Sequence, residues 1–136
     1  RIAQMPDNIN PVNNYLGKAG LEMEQSRHGG CDAYEFETGS GKLDCARVSG
    51  CFIIEFKPDN PRAVREGEDK VRGYRKALLD EANKDKRSAL ARINSDFGKC
   101  QDFRLIIEAY RLGTEIKDDG RVEVSSASWS THSVEP

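Results

Sequence analysis

The stretch Lys42–Asn60, KLDCARVSGCFIIEFKPDN, decides how this chain is read. Two strand-like runs, KLDCARV and CFIIEFK, flank Ser49-Gly50, and Asp44, Glu55 and Lys57 sit in or beside them. Ionised groups are costly to bury in apolar runs. A two-residue turn at Ser49-Gly50 folds the stretch into a hairpin. Val48 then faces Cys51, Asp44 lies opposite Glu55, and Lys42 lies opposite Lys57. Opposed residues share a sheet face with their β-carbons roughly 5 Å apart. Glu55 and Lys57, two apart on one strand, share that face as well. Phe52, Ile54 and Phe56 point the other way, and that face is expected to be core. A slip of one residue would send Asp44 across the sheet.

Two directly opposed carboxylates repel, so the hairpin demands compensation. Mg²⁺ or Mn²⁺ would supply it, because these ions take oxygen ligands from one or two carboxylates and keep several waters. Lys57 would orient or deprotonate a water, or stabilise charge developing on a phosphate. The competing reading is a solvated strand face carrying harmless charges. Opposed acids leave little room for a sugar ring, which with Lys57 counts against a glycoside hydrolase.

Outward from the hairpin, Asn10-Pro11 is a cap-and-proline signal, and Val12, Tyr15, Leu16, Ala19 and Met23 fall on one helical face. Gly29-Gly30 ends that helix and CDAYEFE is a strand candidate. Asn60-Pro61 repeats the cap signal and opens a helical region to about Ile93, broken near ANKDK, with Val64, Val71, Tyr74 and Leu78 as its stripe. FRLIIEAYRL and RVEVSSASW are further strands, joined by a turn at Asp119-Gly120. The order helix, three strands, helix, one or two strands implies an α/β (α+β) domain: a small mixed central sheet flanked by helices. The expectation is a single domain over 1–136 with a frayed tail at 130–136. The chain opens on Arg1 and is expected to be a piece of a longer protein.

The 136 residues are 37% hydrophobic and 32% charged, enough for one core. A formal net charge of −2 argues against an indiscriminate basic nucleic-acid binder but not against a local basic face. Cys31, Cys45, Cys51 and Cys100 lack zinc spacing and read as buried hydrophobes or one disulfide. His28 and His132 are too few for a histidine-based metal nuclease; His28 reads as a helix-end residue and His132 as an exposed tail residue. Gly39–Lys42, GSGK, precedes a strand and is turn chemistry rather than a phosphate loop. Trp129, the one tryptophan, reads as core or edge packing.

Asp44-x10-Glu55-Phe56-Lys57 resembles the core signature of the PD-(D/E)xK nuclease superfamily, the restriction-endonuclease-like fold, and the surrounding element order is similar over about residues 11 to 110. Leu43 stands where the family's proline would. The resemblance implies a metal-dependent phosphodiesterase in which Asp44 and Glu55 bind Mg²⁺ or Mn²⁺, with the Phe56 carbonyl as a further ligand and Lys57 on the attacking water. It implies a first-helix glutamate completing the site, here Glu22, and a Q-x-x-x-Y pair on the later helix. Lys70-x-x-x-Tyr74 occupies that place, with Lys for Gln, and reads as a phosphate contact. Between Arg62 and Arg92 ten Lys or Arg stand against six Asp or Glu. Lys70, Tyr74, Arg72 and Arg75, with Lys42 at the rim, are the candidates for nucleic-acid binding.

Within the superfamily the compact layout looks like the C-terminal nuclease domains of bacterial polymorphic toxins. That likeness implies a secreted or delivered effector acting in a target cell's cytoplasm, on DNA more than RNA, with a cognate immunity protein as partner. The alternative from another class is a non-catalytic nucleic-acid or protein-binding module on the same fold.

Overall fold

A computed structural model describes residues 30–136. The expected first helix, with Glu22 and His28, lies outside the described residues. Five strands form one mixed sheet in sequence order: β1 (Ala33–Glu37), β2 (Lys42–Arg47), β3 (Phe52–Pro58), β4 (Arg104–Ile116) and β5 (Val122–Val134). Helix α1 (Pro61–Leu79) and helix α2 (Lys84–Ile93) connect β3 to β4. The described residues fall into two compact units. One is Cys31–Tyr110 with Trp129–Pro136; of the other, Gly30 and Arg111–Ser128 are described.

The hairpin forms in the expected register, with Cys45 paired to Ile54, Ala46 to Ile53 and Arg47 to Phe52. Its turn closes when the Cys51 N–H donates to the Val48 carbonyl at 3.0 Å. Gly50 sits at φ +82°, a region open to glycine, and a Cβ there would collide with the Phe52 ring. β1 pairs antiparallel with β2, placing Lys42 beside Glu37 on that side, and on the other side the β2–β3 ladder stops at Cys45 and Ile54, short of Lys42 and Lys57. β3 runs parallel to β4, from Phe52 beside Arg104 to Pro58 beside Tyr110, as a helical crossover requires.

That crossover begins at Asn60, whose side chain accepts the Ala63 N–H at 2.9 Å, with Pro61 opening the helix. α1 ends at Asp80, which caps a 3-10 turn at Glu81–Asn83 before α2, so the break falls at the front of ANKDK.

α1 buries Val71, Tyr74 and Leu78 against Ile53, Leu105 and Ile107. This corrects the core expectation. Phe52, Ile54 and Phe56 do face away from Glu55, but they belong to a smaller cluster with Cys45 and Ile106. The main core lies on the Glu55 face, because that is the face the crossover helix covers.

Two disulfides, Cys31–Cys45 and Cys51–Cys100, replace the single disulfide or buried thiols expected. The tail is also corrected. β5 continues to Val134, which is buried, and the Thr131 hydroxyl donates to the buried Glu108 carboxylate of β4. Trp129 packs edge-on against Phe56 and Tyr110 at 5.6 and 5.7 Å between centroids. His132 is half-buried, its Nε2 3.9 Å from Asp59. The Asp119-Gly120 turn is present, with Gly120 at φ +86° and its N–H bonded to the Lys117 carbonyl at 2.8 Å.

Candidate active site

The β2–β3 backbone ladder ends at Cys45 and Ile54, and side chains take over where it stops. The Phe56 N–H donates to Asp44 Oδ2 at 2.8 Å, and the Asp44 N–H donates to Glu55 Oε1 at 3.3 Å. Each carboxylate thus accepts from the opposite strand's backbone, and the two acids meet where the strands part. Glu55 is only 4% exposed and Asp44 is half-buried. From α1, the Tyr74 hydroxyl reaches Glu55 Oε2 at 3.4 Å.

Burial pushes the Asp44 carboxyl above its ordinary range, against the opposing pull of the Phe56 N–H, Glu55, Lys57 and Lys70. Burial first, then the Asp44 charge, pushes Glu55 from 4.5 to about 8. Burial and Glu55 also raise the Tyr74 hydroxyl, which therefore stays protonated and remains a donor.

A raised carboxylate pKa fixes the sign of a stability trend. The folded protein holds the Glu55 proton up to about pH 8, whereas the unfolded chain releases it near the ordinary 4.5. The folded state binds more protons across that window, so stability falls as pH rises through it and levels off above it. Asp44 acts in the same direction. The metal-free melting temperature is expected to drop by roughly 10 °C between pH 5 and 8.5. Glu55→Gln should flatten most of that slope, as read by calorimetry at several pH values; an equal slope in the variant would remove Glu55 as its cause.

The donor set fits a hard divalent cation. Two carboxylates converge under a charge deficit that such an ion would relieve, and Lys57 and Lys70 relieve it only in part. Among the described residues there is no group of three His, Cys, Asp or Glu side chains able to hold a metal. Any further ligands from the described residues would be a backbone carbonyl or water, and Mg²⁺ commonly keeps several waters.

The structure brings Asp44 and Glu55 together, with Lys57 and Lys70 close enough to bias their charge. Glu22 lies outside the described residues. Tyr74, expected at a phosphate, is buried on Glu55 instead. The sequence signal for this was its place within the apolar stripe of α1.

Arg72 and Arg75 are engaged within the fold. Arg72 donates to the Glu135 carbonyl at 2.7 Å, and Arg75 grips Asp102 at 2.7 and 3.1 Å. Both tie α1 to other parts of the fold. Lys70 and Lys42 are exposed. No helix among the described residues is long and apolar enough to cross a membrane.

A search of curated proteins and of solved structures yields no match. A family model described as restriction endonuclease fold toxin 9 matches residues 17–94, which take in the hairpin, both carboxylates and all of α1 and α2. With more than half of the chain under that match, and the sheet and crossover helix in place, this chain belongs to the restriction endonuclease fold toxin 9 family.

Proposed function

We propose that this domain is a metal-dependent nuclease that hydrolyses phosphodiester bonds, DNA in preference to RNA, as the toxin part of a delivered effector with a cognate immunity protein. The observation that carries the reading is the convergence of Asp44 and Glu55 at the end of the β2–β3 ladder, beside Lys57. Asp44 and Glu55 would hold Mg²⁺ or Mn²⁺, with the Phe56 carbonyl as a third oxygen by resemblance. Such an ion, when bound, polarises a phosphate and makes a water more acidic.

The chain's own groups do the rest. The Phe56 N–H and the Tyr74 hydroxyl fix the two carboxylates in orientation. The Lys57 ammonium orients the attacking water and takes up negative charge developing at the phosphate. Lys70, exposed on α1, and Lys42 at the rim hold the flanking backbone phosphates. Two disulfides suit a domain that passes through an oxidising space before it acts.

The test is incubation with plasmid DNA and with RNA in Mg²⁺, in Mn²⁺ and in EDTA. Cleavage only with metal is expected. Cleavage that survives EDTA contradicts the mechanism, and binding without cleavage in any metal identifies a binding module instead.

A second expectation separates contacts from scaffold. Lys70→Ala should weaken DNA binding and lower the slope of log affinity against log salt by about one. Arg75→Ala should leave that slope unchanged and cost about 0.5–1 kcal/mol of stability. Fluorescence anisotropy at several salt concentrations, with melting curves, checks both.

A further inference from the structure

The buried stripe of α1 begins with a glycine. Gly67 is buried, followed on the same face by Val71, Tyr74 and Leu78. Glycine inside a helix is unfavourable relative to alanine, so its presence calls for a steric reason. A Cβ built on Gly67 would stand 2.9 Å from Lys57 Cγ and 2.9 Å from Ile107 Cδ1. The helix backbone therefore lies directly on the stem of Lys57. β3 and β4 run parallel here, with Glu55 beside Ile107 and Lys57 beside Ala109. Seven residues further along α1, Tyr74 reaches Glu55. One helical stripe thus touches both members of the Glu55–Lys57 pair.

We infer that Gly67 is a positioning residue for Lys57: the bare backbone of α1 at this point supports the lysine stem and sets where its ammonium stands relative to Asp44 and Glu55. The inference rests on the nuclease reading for its catalytic consequence, but not for its geometry. Contact with Ile107 alone would make Gly67 only a packing device. The two roles separate because Ile107→Val removes Cδ1 and leaves the Lys57 contact in place.

The experiment compares the wild-type chain with Gly67→Ala, Ile107→Val, the double variant Gly67→Ala/Ile107→Val, and Lys57→Ala. Three quantities are read: kcat and KM for Mg²⁺-supported cleavage of an oligonucleotide, the melting temperature, and the rate of reductive methylation at Lys57 by mass spectrometry. Gly73→Ala, whose Cβ would meet among the described residues only the Ser40 hydroxyl, at 3.3 Å, controls for adding alanine to α1.

Gly67→Ala is expected to lower kcat by at least about tenfold with KM little changed, the signature of a displaced group rather than lost binding. The double variant should recover melting temperature but not kcat, and Lys57 should be methylated several-fold faster in both. Recovery of kcat by Ile107→Val overturns the inference, as does an unchanged methylation rate. If Lys57→Ala cleaves as wild type does, or nothing cleaves at all, the nuclease reading fails. The methylation rate then still decides whether Gly67 holds Lys57.

Discussion

Replacing Asp44 or Glu55 with alanine is expected to lower metal-dependent cleavage by at least about a thousandfold, while Glu55→Ala raises the metal-free melting temperature at pH 8. The first effect follows from losing half of a two-carboxylate donor set, whose worth to the reaction is several kcal/mol. The second follows from cost. Glu55 is buried beside a like charge that drives its pKa to about 8. Above that pH the folded protein carries an ill-solvated anion, and removing it relieves the strain. A carboxylate kept for packing would behave in the opposite way, losing stability with no change in rate. Steady-state cleavage together with melting curves at pH 6 and pH 8 distinguishes the two. Asp44→Ala should be less favourable to stability, because half-buried Asp44 carries the smaller burial penalty to relieve; both variants strand donors, the Phe56 N–H in Asp44→Ala and the Asp44 N–H and Tyr74 hydroxyl in Glu55→Ala, a cost present at pH 6 and pH 8 alike.

Reducing both disulfides is expected to lower the melting temperature by at least about 15 °C. In the chain-entropy account the Cys31–Cys45 bridge, spanning 14 residues, is worth about 3 kcal/mol, and the Cys51–Cys100 bridge, spanning 49, about 4 kcal/mol. A domain of this size has only about 5–15 kcal/mol of stability to lose. The Cys51–Cys100 bridge anchors the start of β3 to the segment entering β4, so it spans the whole helical crossover. The variant lacking it should lose more than the one lacking Cys31–Cys45, whose loop is shorter. Thermal melts of the oxidised protein, the reduced protein and the two Cys→Ser pair variants check the order. A reduced protein melting within a few degrees of the oxidised one would show that neither bridge restrains the unfolded chain.

The meeting of Asp44 and Glu55 was legible because the hairpin's geometry is local. Ser49-Gly50 supplies turn chemistry, and strand period two then puts Asp44 and Glu55 in register without further information. The cap at Asn60-Pro61 is equally local, and α1 starts there. The face that carries the main core was not legible. Phe52, Ile53 and Ile54 are consecutive apolar residues, and a strand buried on both faces shows no alternation to read. The partners of Arg72 and Arg75 were hidden for a related reason. Glu135 and Asp102 lie 63 and 27 residues away, and only the fold brings them to α1. The tail STHSVEP is polar and carries little strand propensity, yet pairing beside β4 and burial of Val134 order it. Cysteine pairing cannot be read from spacing alone.

Asp44 and Glu55 sharing one divalent cation is the central claim, and a calorimetric titration of Mn²⁺ into the metal-free protein at pH 7.5 tests it directly. One site per chain is expected in the wild type, lost or strongly weakened in both Asp44→Ala and Glu55→Ala, with protons released on binding because Glu55 must give up its own. Stoichiometric binding that persists in either variant, or its absence from the wild type, would contradict the claim.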